Sequence, residues 1–180
     1  RTCTAPTLVF ENLTKTYGDD PFDIVASSNS QGTVAYEIVG EASETSLSGT
    51  NNATVTLGNV AEITIKATQA ISGMYDAASK EFTVTIGKAE LTATAEDKTR
   101  LYGQDNPTFT INYDGFKGTD SATDLDTMPT ASSAATAASD VGTQAIELTE
   151  GADANYAITH TSGTLTIGKA PLTVTADAGY

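Results

Sequence analysis

The sequence holds one cysteine, Cys3, one histidine, His160, and no tryptophan. A single thiol cannot form a disulfide within the chain. Small secreted animal domains usually depend on such staples, so their absence points to a bacterial surface setting or to a reducing compartment. A lipid-modified cysteine would open the mature chain after a leader; a solitary thiol near a terminus reads rather as a small buried or incidental residue. With one histidine and no Cys/His cluster, nothing in the spacing offers zinc. A Ser-His-Asp arrangement would have to use His160, which stands in phase with Tyr156 and Ile158 as an ordinary strand residue. No Gly-rich loop opens a helix to cradle phosphate. No apolar run is long enough to span a bilayer, so no direct membrane insertion is expected. Basic residues are few: 9 Lys and Arg face 23 carboxylates, for a net charge of −14. That balance repels nucleic-acid phosphates and anionic headgroups, and excludes both as main partners. The acidity reads as the solubility of a surface protein.

What the chain does have is an internal repeat. Ile-Gly-Lys-Ala occurs at Ile86–Ala89 and again at Ile167–Ala170, 81 residues on. Each copy runs into a similar segment, Leu91-Thr-Ala-Thr-Ala95 and Leu172-Thr-Val-Thr-Ala176. A fixed period of this length fits a small domain better than a helical solenoid unit. The expected organisation is one module over 1–87, a second over 88–168, and the first strand of a truncated third repeat over 169–180. The start at Arg1 and the stop at Tyr180 read as cuts in a longer array. Residues 171–180 should then lack partners of their own.

Period-2 alternation in short runs dominates, bounded by Gly, Asn, Asp and Ser. In the first module it predicts strands at 8–10, 22–27, 33–39, 53–57, 60–68 and 81–86, with a weaker one at 45–48. About seven short strands with turns every 8–12 residues suggest an immunoglobulin-like β-sandwich. In the second module strands are expected at 91–95, 108–113, 128–132, 143–149, 156–160 and 164–167, with 131–139 an edge strand or loop. Asp120 is placed to cap a short helical turn with Ala122 and Leu125 inward. The second module is therefore a β-sandwich or a β-grasp-like mixed sheet with at most one short helix. The fold class is mainly β, in two tandem small domains. Gly87-Lys88-Ala89-Glu90 leaves no flexible linker between them, and a stiff pair follows.

A second motif opens each module. Lys15-Thr-Tyr17-Gly18-Asp-Asp-Pro21-Phe22 parallels Arg100-Leu-Tyr102-Gly103-Gln-Asp-Asn-Pro107-Thr-Phe109. The glycine permits a turn with φ > 0. The prolines restrict the chain before the next strand. Tyr17 and Tyr102 can plug a sandwich end with the ring while the hydroxyl reaches water or backbone. The second module also carries Tyr113-Asp-Gly-Phe116, Gly118-Thr-Asp120, Leu125, Val141-Gly-Thr143, Asn155-Tyr156 and Gly163-Thr-Leu-Thr-Ile167. With Leu91–Ala95, Tyr102-Gly103 and Pro107, these make residues 89–168 resemble the MBG domain of the Tyr-Gly-X type. Residues 1–87 are similar to bacterial immunoglobulin-like modules, through the Tyr-Gly-Asp-x-Pro-Phe start, Ile63–Thr68 and Phe82–Ile86. Such modules recur in long secreted or outer-surface bacterial proteins as stalks or adhesive arrays. The resemblance brings no catalytic residues with it.

These resemblances imply a non-enzymatic structural or adhesive module pair on a bacterial surface or outside the cell. It acts as a stiff spacer or presents a binding surface. The rivals are an adhesin that binds a glycan or host protein, and an accessory region of a larger secreted enzyme. The expected partners are neighbouring repeats of the same chain and a host glycan or protein, with the fragment itself a monomer. No cofactor is expected. Calcium is the one ion to weigh, because Asp19, Asp20, Asp105, Asp120, Asp124 and Asp126 supply hard oxygens beside turn carbonyls. None matches the EF-hand loop, and Asp favours turns for its own reasons. Sugar binding needs exposed aromatic platforms. Most of the aromatics fall at core or motif positions, Tyr36 and Tyr113 least clearly.

Overall fold

The computed structural model describes residues 3–176. The chain forms two compact units: Arg1–Ala89 with Lys117–Thr119 and Ala154–Ala157, and Glu90–Phe116 with Asp120–Asp153 and Ile158–Tyr180.

The first unit holds β1 (Leu8–Val9), β2 (Leu13–Thr16), β3 (Phe22–Asp23), β4 (Ser27–Ser28), β5 (Val34–Val39), β6 (Ser46–Ser48), β7 (Thr54–Thr56), β8 (Ala61–Gln69) and β9 (Ala78–Gly87). Two sheets form the sandwich, in the orders β2-β9-β8-β5 and β3-β7-β6, with β1 and β4 paired separately. The alternation along β8 places Ile63, Ile65 and Ala67 inward, all fully buried. Opposite them on β9, Val84 pairs with Ile63 and Phe82 with Ile65, so cross-strand neighbours share the buried face. Burial of each such side chain is worth about 1.5–3 kcal/mol. Phe10 stacks on Phe82 with ring centroids 4.9 Å apart. From the facing sheet, Val55 closes the core between Phe22 and Leu47.

The second unit is built from β10 (Ala89–Ala95), β11 (Lys98–Leu101), β12 (Ile111–Asp114), β13 (Thr130–Ser132), β14 (Gly142–Thr149), β15 (Tyr156–Thr161) and β16 (Gly163–Gly168), except that Ala89 of β10 and Tyr156 and Ala157 of β15 belong to the first unit. Its sheets are β12-β10-β15 and β11-β16-β14-β13. Ala93 and Ala95 on β10 share a core with Ile146, Leu148, Leu165 and Ile167. The sandwich form is thus the one realised, with one short 3-10 turn at Ala122–Asp124. Ser121, not Asp120, caps that turn. Its hydroxyl and backbone N–H both donate to Asp124 Oδ2, at 2.8 and 2.9 Å. Leu125 is buried as expected, while Ala122 is only half-buried.

Both units share a pairing that local alternation does not announce. β2 runs parallel to β9, and β11 runs parallel to β16. Neither β2 nor β11 is among the expected strands. Both are short, polar, and held by the last strand of their own unit, about 70 residues away in sequence. The stretch 22–27 divides into β3 and β4, because Ile24 turns inward and Val25 lies open to solvent. The expected strand at 108–113 begins only at Ile111, beyond Pro107.

Candidate functional site: the tyrosine-glycine ends

The parallel pairs bring the two repeated motifs together. Thr16 lies opposite Gly87, and Leu101 opposite Gly168. The next residue extends the ladder in each unit: Tyr17 N–H donates to Gly87 O at 2.9 Å, and Tyr102 N–H to Gly168 O at 2.8 Å. A tight turn follows at once, with Gly18 at φ 77° and Gly103 at φ 82°. Asp19 N–H donates to Thr16 O, and Gln104 N–H to Leu101 O. The same two side chains reach back to close the turn: Asp19 Oδ2 accepts from Thr16 N–H, and Gln104 Oε1 from Leu101 N–H, both at 2.9 Å. Positive φ is why glycine stands there. Tyr-Gly and Ile-Gly-Lys-Ala are therefore two halves of one device.

The surroundings of the two turns differ. Tyr17 is half-buried and meets Tyr156 edge-on, with centroids 5.4 Å apart. Tyr156 is buried, and its hydroxyl accepts from Lys117 N–H at 2.8 Å. A methyl group on Gly18 would collide with the Lys117 side chain. Asn155 belongs to the same cluster: its Oδ1 accepts from Val60 N–H and its Nδ2 donates to Asn59 Oδ1. Around Gly103 a methyl group would meet open space, and Tyr102 is 46 % exposed. Tyr17 thus fits the expectation of a ring plugging an end, and Tyr102 departs from it.

The residue two before each tyrosine also differs. Lys15 Nζ sits 4.3 Å from the centroid of the Phe22 ring. Arg100 is buried, and neutral acceptors take up its guanidinium: Asn106 Oδ1 at 2.8 Å, Leu101 O at 3.2 Å and Thr136 O at 2.5 Å. Asn106 Nδ2 in turn donates to Ala135 O at 2.7 Å. This hub ties the Tyr102-Gly103 turn to the chain near 135–137. Arg100 and Lys15 hold the same place in the two motifs, and the motif alone assigns neither a role. The cue was a bulky cation at an inward-facing phase of a strand, with an Asn six residues on.

The calcium candidates are dispersed. Asp19 and Asp124 are engaged in the turns described, and Asp20, Asp105 and Asp126 are exposed. Asn106, beside Asp105, is committed to Arg100. Asp120 is half-buried. Among the described residues, no three His, Cys, Asp or Glu side chains converge to hold a metal. The hydrogen bonds from the Ser121 hydroxyl and backbone lower the Asp124 pKa. Glu96 is lowered by the Thr110 hydroxyl first, then by Lys98.

Tyr36 is no sugar platform. It is a core residue whose hydroxyl accepts from Ala26 N–H at 2.9 Å, and burial raises its pKa. Tyr113 is half-buried against Phe116, with its pKa raised by the same cause. His160 is exposed on β15, and Cys3 is exposed rather than buried. A cavity of about 330 Å³ opens in the first unit between Phe10, Leu13, Ile24 and Phe82, with Val9 and Val25 at its mouth. Among the described residues, no helix is long and apolar enough to cross a membrane.

The arrangement is that of a tandem β-sandwich protein whose modules each close on a Tyr-Gly turn. The model of the MBG domain (YGX type) matches residues 91–166, the segment whose motifs resemble that family. No match was found among curated proteins. Among solved structures, human protocadherin-24 EC1-2 (Form II) aligns at 10 % identity and a TM-score of 0.38, over 92 % of this chain and 99 % of that one. Drosophila N-cadherin EC1-3 aligns at 10 % identity and a TM-score of 0.32, over 94 % and 69 %.

Proposed function

We propose that this chain is a non-catalytic structural and adhesive module pair of a bacterial surface or secreted protein, serving as a stiff spacer. The observation that carries the reading is the one-residue connection between β9 and β10. Lys117–Thr119 and Ala154–Ala157 belong to the first compact unit, so the chain passes through that unit three times. Lys88 alone separates β9 from β10. So short a connection leaves far less freedom than a Gly/Ser tether. The match to the MBG domain supports a surface role. The function is mechanical: ladder hydrogen bonds and packed ends carry load, and no covalent chemistry is involved.

A second reading, a ligand-binding adhesin, is favoured by the Phe10–Phe82 cavity with its open valines. An array of glycans and host proteins probed with the full chain tests the choice. The spacer reading expects no saturable binding. Reproducible, saturable binding lost on Phe82→Ala, in a variant that still folds, would replace it with the adhesin.

A further inference from the structure

The second copy of the repeat lies in a different environment from the first. In β10, Ala89, Leu91, Ala93 and Ala95 form one stripe, from 0 to 2 % exposed. β12 and β15 flank that strand, and Thr92–Ala95 pair with Asp114–Ile111 on one side. The same stripe recurs 81 residues on as Ala170, Leu172, Val174 and Ala176. There every residue is exposed, Leu172 by 89 % and Val174 by 85 %, and Pro171–Ala176 join no strand. Residues 177–180 lie outside the described residues.

The Tyr-Gly turns show the same contrast independently. Segments from later in the sequence cover the turn at Tyr17-Gly18: the Tyr156 ring packs on Tyr17, and Lys117 fills the space over Gly18. The matching turn at Tyr102-Gly103 is bare, with Leu101 and Tyr102 exposed by 38 and 46 %. Gly168 bridges these two bare features, since it accepts from Tyr102 N–H and leads into the exposed stripe.

We propose that Ala170–Ala176 is a donor strand and Tyr102-Gly103 its docking end, together built to receive a further sandwich module of the second unit's kind. In that module the donor takes the place that β10 takes in the second unit, between two strands that correspond to β12 and β15. Leu172 and Val174 enter its core, and its own tyrosine, the counterpart of Tyr156, covers Tyr102. Strand addition of this type draws affinity from main-chain hydrogen bonds and specificity from alternate side chains. Val174 stands where β10 has Ala93, and so brings two more methyl carbons to the receiving core. Pro171 stands where β10 has Glu90, at the strand start, where a missing N–H is tolerated. The proposal does not depend on the spacer function: an adhesin array would be joined the same way.

The test fuses residues 96–168, whose core is packed around Ala93, behind residues 1–176 carrying V174A, so that Leu172–Ala176 precede Glu96 as Leu91–Ala95 do. Amide hydrogen exchange is then read in this fusion and in the 180-residue chain. In the fusion the appended segment folds, and amides of residues 172–176 exchange about 100-fold more slowly than in the unfused chain. In a fusion carrying L172D and V174D, the appended segment unfolds and the first two modules keep their protection. The proposal is overturned if the appended segment stays unfolded, or if it folds with 172–176 still exchanging freely. Indifference to the two aspartates overturns it too. Concentration-dependent protection of 172–176 in the unfused chain would instead assign the strand to a second copy.

Discussion

The two Tyr-Gly turns have the same backbone and differ in what lies over them. At Tyr17-Gly18 the turn is covered by Tyr156 and Lys117, and the cation two residues earlier rests on the Phe22 ring. At Tyr102-Gly103 the turn is open, and the cation has gone inward as Arg100 to bind three neutral acceptors. A covered turn needs little of its own chain beneath it. A turn left bare is held from within by a buried hub. The hydrogen-bonded core of the device, from the parallel pair to the glycine at positive φ, is common to both and so belongs to the fold. The cover is the variable part, and the cover is where function should be sought.

The strongest break in this symmetry is expected in the repeated strands. Leu91→Ala empties a buried site and should destabilise the second unit by about 3 kcal/mol, whereas Leu172→Ala should leave both units unchanged. Thermal melts resolve the difference, since 1 kcal/mol moves the midpoint by about 4–8 °C in a domain of this size. Equal effects would mean that the exposed stripe is covered after all.

The cations come next. Arg100→Ala removes charged hydrogen bonds and strands the Asn106 and Thr136 acceptors, at a cost of about 3 kcal/mol to the second unit. Lys15→Ala loses only a cation–ring contact, about 0.5 kcal/mol. Urea unfolding of the two variants checks the ratio.

The glycines sharpen the role of the cover. Gly18→Ala combines positive-φ strain with a collision against Lys117 and should cost about 2–3 kcal/mol. Gly103→Ala has the strain alone and should cost about 1 kcal/mol. If the costs are equal, Lys117 does not hold the first turn, and the covered end loses its meaning.

The smallest effect is on pH dependence. Glu96 and Asp124 have pKa values below their ordinary 4.5 and 3.8 in the folded second unit. A lowered folded pKa contributes stability above the unfolded value, lost as pH falls through the folded one. The second unit should therefore weaken below about pH 4.5, and Glu96→Gln should flatten part of that slope. Melting curves from pH 6 to pH 2.5 test this.

Much of this was readable from sequence where alternation was local. Ile63, Ile65 and Ala67 face inward as their spacing says, and β14 and β16 fall within a residue of their expected bounds. What escaped was non-local. β2 and β11 are Leu-Thr-Lys-Thr and Lys-Thr-Arg-Leu, too polar and short to stand out. They become strands only because β9 and β16 lie alongside. For the same reason the sequence shows Tyr-Gly and Ile-Gly-Lys-Ala as separate motifs, although a hydrogen bond joins them in each unit. The capping serine at 121 was overshadowed by Asp120, one residue earlier, because both types cap helices equally well. The acids singled out for calcium were chosen by type. The structure puts Asp19 and Asp124 to work closing turns, which is the ordinary use of Asp at such positions.

The proposed spacer role requires the two modules to tumble together, and ¹⁵N relaxation on the 180-residue chain tests that proposal most directly. A stiff pair predicts one overall correlation time, shared by amides of β8 in the first unit and β14 in the second. Two shorter, independent correlation times, each fitting a body of about 90 residues, would contradict it.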